Sequence, residues 1–153
     1  MDIVTIAKGQ CEFCYLDLGD NQSFNDFIGQ LKQVDEKFAD DFLVHLKGVV
    51  EVAGCPKKLG KNFYKKLNTP KKTNITLYEL IKGRVRLFCY ELEPNKRIIV
   101  LKSFYKKDKK EQDKEIKKLA KDTVPKLLKS IENHEVNWKE IIEDSSIEDG
   151  MEN

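Results

Sequence analysis

The side chains best equipped for chemistry in this sequence are cations standing close to aromatic residues in short, strand-like strings. Arg84 and Arg86 alternate with Phe88 and Tyr90 in RVRLFCY, Glu79 follows Tyr78 in LYEL, and Lys102, Tyr105, Lys106 and Lys107 belong to the string KSFYKK. Lys65 and Lys66 stand in a separate lysine run. A guanidinium is a rigid fork of donors matched to phosphate oxygens. Lysines crowded by other cations can cradle phosphates and take part in proton transfer. A tyrosine such as Tyr90 or Tyr105 offers a ring on which a base can stack. Glu79 has two open readings, a general base or a structural counter-charge for the cations around it. Together these residue types point to a phosphate-rich polyanion.

Other kinds of chemistry find little support. His45 and His134 have no partner at a readable spacing, so they are expected to be packing or surface residues. Cys11 and Cys14 have the internal spacing of a zinc half-site but no second half, Cys55 and Cys89 being isolated, and no metal is expected. No Gly-rich phosphate loop, HExxH, GxSxG or EF-hand pattern occurs, and no cofactor is expected. No apolar run approaches the roughly 18 to 20 residues of a membrane span. The first residues lack a basic, cleavable leader pattern, so a cytoplasmic protein whose four cysteines stay reduced is expected.

The 153 residues, with 28 Lys or Arg and 26 Asp or Glu, are almost neutral overall, but the charge lies in blocks. Residues 1–54 carry 4 basic and 10 acidic side chains, residues 55–72 seven lysines and no acid, residues 102–131 11 lysines and 5 acids, and residues 132–153 one lysine and 8 acids. A basic centre between acidic ends fits a polyanion-binding face. The acidic end could fold back over Lys106 and Lys107.

These residues need elements to position them, and periodicity supplies candidates. Residues 12–18 read as a strand ending in a Gly-Asp-Asn turn. Ser23 stands three residues before Asp26, and Phe24, Phe27, Ile28 and Leu31 form a helical stripe. A second helix starts near Asp35, carries Phe38, Phe42, Leu46 and Val49 on one face, and stops at Gly54-Cys55-Pro56. Residues 55–74 read as a long basic connection. Residues 75–82, 84–92 and 97–104 read as an antiparallel meander, with Val85, Leu87 and Cys89 on one face of the middle strand and Arg84, Arg86, Phe88 and Tyr90 on the other. From Glu111 the pattern is helical, with Pro125 expected to kink or interrupt it. Val136, Trp138 and Ile141 suggest one further short turn or helix.

The order Lys65-Lys66-Leu67, Leu77-Tyr78-Glu79-Leu80, Arg84 to Tyr90, Ile98 to Leu101 and Phe104-Tyr105-Lys106-Lys107 resembles the phage-derived HigB-like branch of the RelE/ParE superfamily, the toxins of type II toxin-antitoxin modules. The matching block spans about 55–121. It departs at Ile81, where the family pattern has arginine, and at Lys102-Ser103. The resemblance implies an α+β fold, with an antiparallel sheet of about four strands, an N-terminal helical hairpin and a C-terminal helix. Residues 1–133 would form the toxin domain and residues 134–153 a partly disordered acidic extension.

It also implies a metal-independent mRNA endoribonuclease, on the ribosome or free of it, that is silenced by a cognate antitoxin. Arg86, Lys106, Lys107 and Glu79 would be catalytic, with Arg86 stabilising the charge of the five-coordinate phosphorus. Lys65, Lys66, Arg84, Tyr90, Lys102 and Tyr105 would hold RNA. Two alternatives stay open: a ParE-like toxin acting on DNA gyrase, and an inert basic nucleic-acid-binding domain.

Overall fold

The computed structural model describes residues 1–141. The chain runs β1 (Asp2–Lys8), β2 (Glu12–Asp17), α1 (Phe24–Val34), α2 (Glu36–Val49), β3 (Tyr64–Lys66), β4 (Tyr78–Lys82), β5 (Val85–Glu93), β6 (Arg97–Tyr105), α3 (Lys109–Lys118), α4 (Val124–Glu132) and β7 (Asn137–Glu140). All strands belong to one sheet in the order β3-β4-β5-β6-β2-β1-β7. The β2–β6 and β1–β7 pairs are parallel and the others antiparallel.

This overturns the expected sheet of about four antiparallel strands behind an N-terminal helical hairpin. The sheet is seven-stranded and mixed, and the helical hairpin lies between β2 and β3, after a β-hairpin that opens the chain. The C-terminal helical run is present, but a further strand, β7, follows it. Residues 137–140, assigned by sequence to the acidic extension, are therefore part of the sheet, and Val136, Trp138 and Ile141 form no helical turn. Residues 142–153 of that extension lie outside the described residues. The Ile141 N–H donates to Thr5 O, so the last described residue stands at the end of the sheet where β6 begins, away from Lys106 and Lys107.

Both faces of the sheet are covered. On one face Phe13, Leu80, Val85, Leu87, Cys89, Ile98 and Val100 pack under the α1–α2 hairpin with Phe24, Ile28, Leu31, Ala39, Phe42 and Leu46. On the other, Ile3, Cys14, Leu16, Phe88, Ile99 and Leu101 pack with Ile116, Leu119, Ala120, Val124 and Leu127 of the C-terminal helical run. Strand alternation sends Val85, Leu87 and Cys89 of β5 to the first core and Phe88 and Tyr90 to the second, which is why it reads as apolar on one face and aromatic on the other. A bulge in β6 leaves Leu101 unmatched between Val100, opposite Cys89, and Lys102, opposite Phe88.

Local chemistry fixes the helices where the spacing places them. Ser23 caps α1 in a capping box: Asp26 N–H donates to Ser23 Oγ, and Ser23 N–H donates back to Asp26 Oδ2. Asp35 ends α1 and caps α2 by accepting from Phe38 N–H, which makes the hairpin turn a single residue. The α-helical run is interrupted just before Pro125. Leu119–Thr123 widens into a π-helical turn, and α4 begins at Val124 with Pro125 in its first turn. The helical backbone runs on, Val124 N–H donating to Leu119 O, and the widened turn gives room to the proline ring, which would clash with the carbonyl of a regular preceding turn.

The cysteines depart from expectation as well. Cys11, in the β1–β2 turn, and Cys55, at the start of the basic connection, form a buried disulfide, so only Cys14 and Cys89 are free thiols. The spacing gave no sign of this pair, because 44 residues separate its members.

Candidate nucleic-acid interface

The β4–β5 hairpin turns at Gly83-Arg84. Gly83 takes φ +57°, the left-handed conformation that such a two-residue turn demands. A Cβ there would also stand 3.3 Å from the Phe38 ring. This turn and the end of β6 meet at one end of the sheet: Val85 pairs with Tyr105, Arg86 with Phe104, and Lys106 N–H donates to Arg84 O.

On the face carrying Phe88, Glu79 is buried, at 3% exposure. Its Oε2 lies 3.7 Å from Arg86 Nε, and its Oε1 lies 3.5 Å from Lys65 Nζ, reaching in from β3. Arg86 is itself nearly buried, and its Nη1 donates to Gly83 O at 2.6 Å and Val85 O at 3.0 Å. With two cations against its two oxygens, Glu79 is placed as a counter-charge and is poorly placed as a general base. Just past the end of β6, Lys107 Nζ sits 4.9 Å from the Phe104 ring, the ring opposite Arg86.

On the opposite face, Tyr105 packs against Phe27 of α1 with ring centroids 5.3 Å apart, and Arg84 lies over the Tyr105 ring at 5.8 Å. The sequence placed Arg84 and Arg86 on one face. The structure separates them, because Arg84 lies in the turn and not in the strand. Arg84, Tyr105 and Lys106 are exposed at the rim where the two faces meet.

The remaining expected residues divide. Lys66 is exposed on the short edge strand β3. Tyr90 packs against the second core, and burial raises its phenol pKa. Lys102 donates to Gln22 Oε1 across the N-terminal turn of α1, far along the chain from its own strand. His45 packs edge-on against Phe63 as the packing reading expects, and burial, with Lys82 nearby, lowers its pKa.

Sequence reading missed a second anchored carboxylate. Glu91, whose side chain is 6% exposed, accepts from Tyr64 Oη at 2.8 Å and pairs with Lys57 at 3.4 Å. Glu79 and Glu91 thus each tie one lysine of the basic connection to the sheet. The available signal was acid in a strand next to a lysine-only segment. Phe27, Gln22 and Gln30 were also missed, since as residues of a helix and its approach they carried no chemical signal.

The layers differ in charge. Residues 24–49 hold 5 acids and 3 lysines, and residues 109–132 hold 8 lysines and 5 acids. Among the described residues no cluster of His, Cys, Asp or Glu could hold a metal ion, and no helix is long and apolar enough to cross a membrane. Compared with known proteins, the chain matches no family model, no curated protein and no solved structure.

Proposed function

We propose that the protein is an RNA-directed toxin of the RelE/HigB kind, cleaving mRNA without a metal ion and restrained by a protein antitoxin. The observation that carries this reading is the meeting of Arg86, Lys107, Arg84, Lys106 and Tyr105 at one end of the β5–β6 ladder. In the reaction the ribose 2′-oxygen attacks phosphorus, the bond to the 5′-oxygen breaks, and a 2′,3′-cyclic phosphate and a 5′-hydroxyl result. Arg86 supplies positive charge beside the phosphoryl oxygens, and Glu79 holds it in place. Lys106 and Lys107 are the groups left to accept the 2′-OH proton and to protonate the leaving oxygen. An antitoxin segment rich in acids would cover the same lysines, and the ribosome could present the mRNA to them.

A second reading is RNA binding without cleavage. It is favoured by Arg86 Nη1, which already donates to two backbone carbonyl oxygens. Inducing the intact protein beside Lys106→Ala/Lys107→Ala and Arg86→Gln, while following growth and the 5′ ends of cellular mRNA, separates these readings. New cut sites with arrest, lost in the exposed double lysine variant, support the nuclease. RNA binding with uncut mRNA supports the second reading. Arrest with intact mRNA and falling supercoiling activity would move the target to DNA gyrase.

A further inference from the structure

Beside the N-terminal turn of α1 lies a cavity of about 150 Å³ lined by Asn21, Gln22, Gln30, Lys102, Ser103 and Phe27. Its wall exists because of the β6 bulge. The unmatched Leu101 breaks the strand alternation, so that the consecutive residues Lys102 and Ser103 both line the cavity. Ser103 Oγ is buried and has no hydrogen-bond partner, which is costly for a hydroxyl unless something else completes it. The Phe27 ring that lines the cavity is the ring packed on Tyr105, over which Arg84 lies. Past Tyr105 a second, apolar cavity of about 200 Å³ continues between Leu31, Phe38 and Val85.

We propose that this cavity receives a pyrimidine base of single-stranded RNA, with the neighbouring base on Tyr105 and the intervening phosphates on Arg84 and Lys106. The proposal rests on the RNA-directed reading above and names the base selectivity of that site. A space of about 150 Å³ accommodates a single six-membered ring, which fits uracil or cytosine better than a fused purine. The side-chain amides of Asn21 and Gln30 offer both donors and acceptors to the edge of such a base, and that of Gln22, whose Oε1 accepts from Lys102, offers its N–H donors. Ser103 Oγ gains the partner it lacks, and Phe27 supplies an apolar wall. The carboxylates nearby do not oppose a neutral base, since Asp26 is held by Ser23 and Asp35 by Phe38 N–H at the helix caps. Arg84 and Lys106 lie beside Tyr105, where the backbone would pass, and Lys102 lines the cavity itself.

Fluorescence anisotropy with labelled oligouridine, oligocytidine and oligoadenosine of about eight nucleotides tests this. The intact protein is expected to bind the pyrimidine strands about tenfold more tightly than oligoadenosine. Gln30→Ala and Ser103→Ala should erase that preference, while Tyr105→Leu should weaken all strands by about tenfold. Titration with uridine 5′-monophosphate, followed by backbone amide NMR, should move signals of residues 21–30 and 102–105. Inorganic phosphate should leave residues 21–30 unmoved, and equal shifts with phosphate alone would make this an anion site and overturn the base pocket. Equal affinity for all strands, unchanged in Gln30→Ala, overturns the pocket and leaves RNA binding standing. Failure of the intact protein to bind any strand removes both. Gln30 is exposed on α1, so its variant tests the cavity without disturbing the core.

Discussion

Glu79 and Arg86 lie diagonally across the β4–β5 ladder with Oε2 3.7 Å from Nε, and the carboxylate takes Lys65 on its other oxygen. A buried charge left without its partner costs far more than an exposed one. Glu79→Gln keeps the shape, removes the charge and leaves Arg86 enclosed. It should cost about 3 kcal/mol in urea unfolding. Adding Arg86→Met should recover part of that loss, giving a double variant less unstable than the two single effects predict. Additive effects would mean that the pair does not interact.

The lysine side of the same arrangement predicts a separation of stability from function. Lys106 is exposed, and Lys107 sits over Phe104 at the surface end of β6. Replacing both with alanine should change unfolding free energy by less than about 1 kcal/mol. It should still weaken RNA affinity and flatten its salt dependence, by about two counterions released. An unchanged slope of affinity against salt would remove these two lysines from the interface.

The meander that carries these residues was legible because β-branched and aromatic strings bounded by Gly83 and Pro94-Asn95 admit little else. The α1–α2 hairpin was legible because Ser23, Asp35 and the Phe24/Ile28/Leu31 stripe agree. The sheet's true extent was not legible. β1 and β7 join it only through pairing with each other and with β2, and β7 has four exposed residues with no apolar alternation. The site was half legible. Residue types named the cations, but which face Arg84 occupies depends on a turn, and Ser103 and Lys102 share a cavity only because of a bulge. Neither leaves a trace in composition.

The Cys11–Cys55 disulfide closes a loop of 44 residues in sequence separation and ties the β1–β2 turn to the start of the basic connection. Opening it restores conformational freedom to the unfolded chain, worth about 2 to 4 kcal/mol. Treatment with a dithiol reductant, or a Cys11→Ser/Cys55→Ser double variant, should lower the unfolding free energy measured in urea by that amount. The effect should be absent when reductant is added to the double variant. Cys14 is not expected to react, since burial pushes its thiol up to about 12 and leaves it protonated at neutral pH.

Glu12 gives a pH dependence whose sign is fixed by its surroundings. Burial opposes its charge, but hydrogen bonds from Thr5 Oγ1 and Cys14 Sγ, with Arg97 Nε 3.4 Å from Oε1, outweigh burial and hold the carboxyl below its ordinary 4.5. A depressed carboxylate pKa stabilises the fold above the unfolded value, and that contribution is lost as pH falls through the lower folded value. Glu12→Gln should therefore be less stable at pH 7 by about 1 to 2 kcal/mol, with the gap closing below pH 4.5. The lone tryptophan reports the same event locally, because Trp138 lies under the Arg97 guanidinium at 5.1 Å. Protonating Glu12 frees Arg97, so Trp138 emission should titrate below pH 4.5 in the intact protein and lose that titration in Glu12→Gln. Identical emission profiles in the two proteins would show that Glu12 does not hold Arg97 in place.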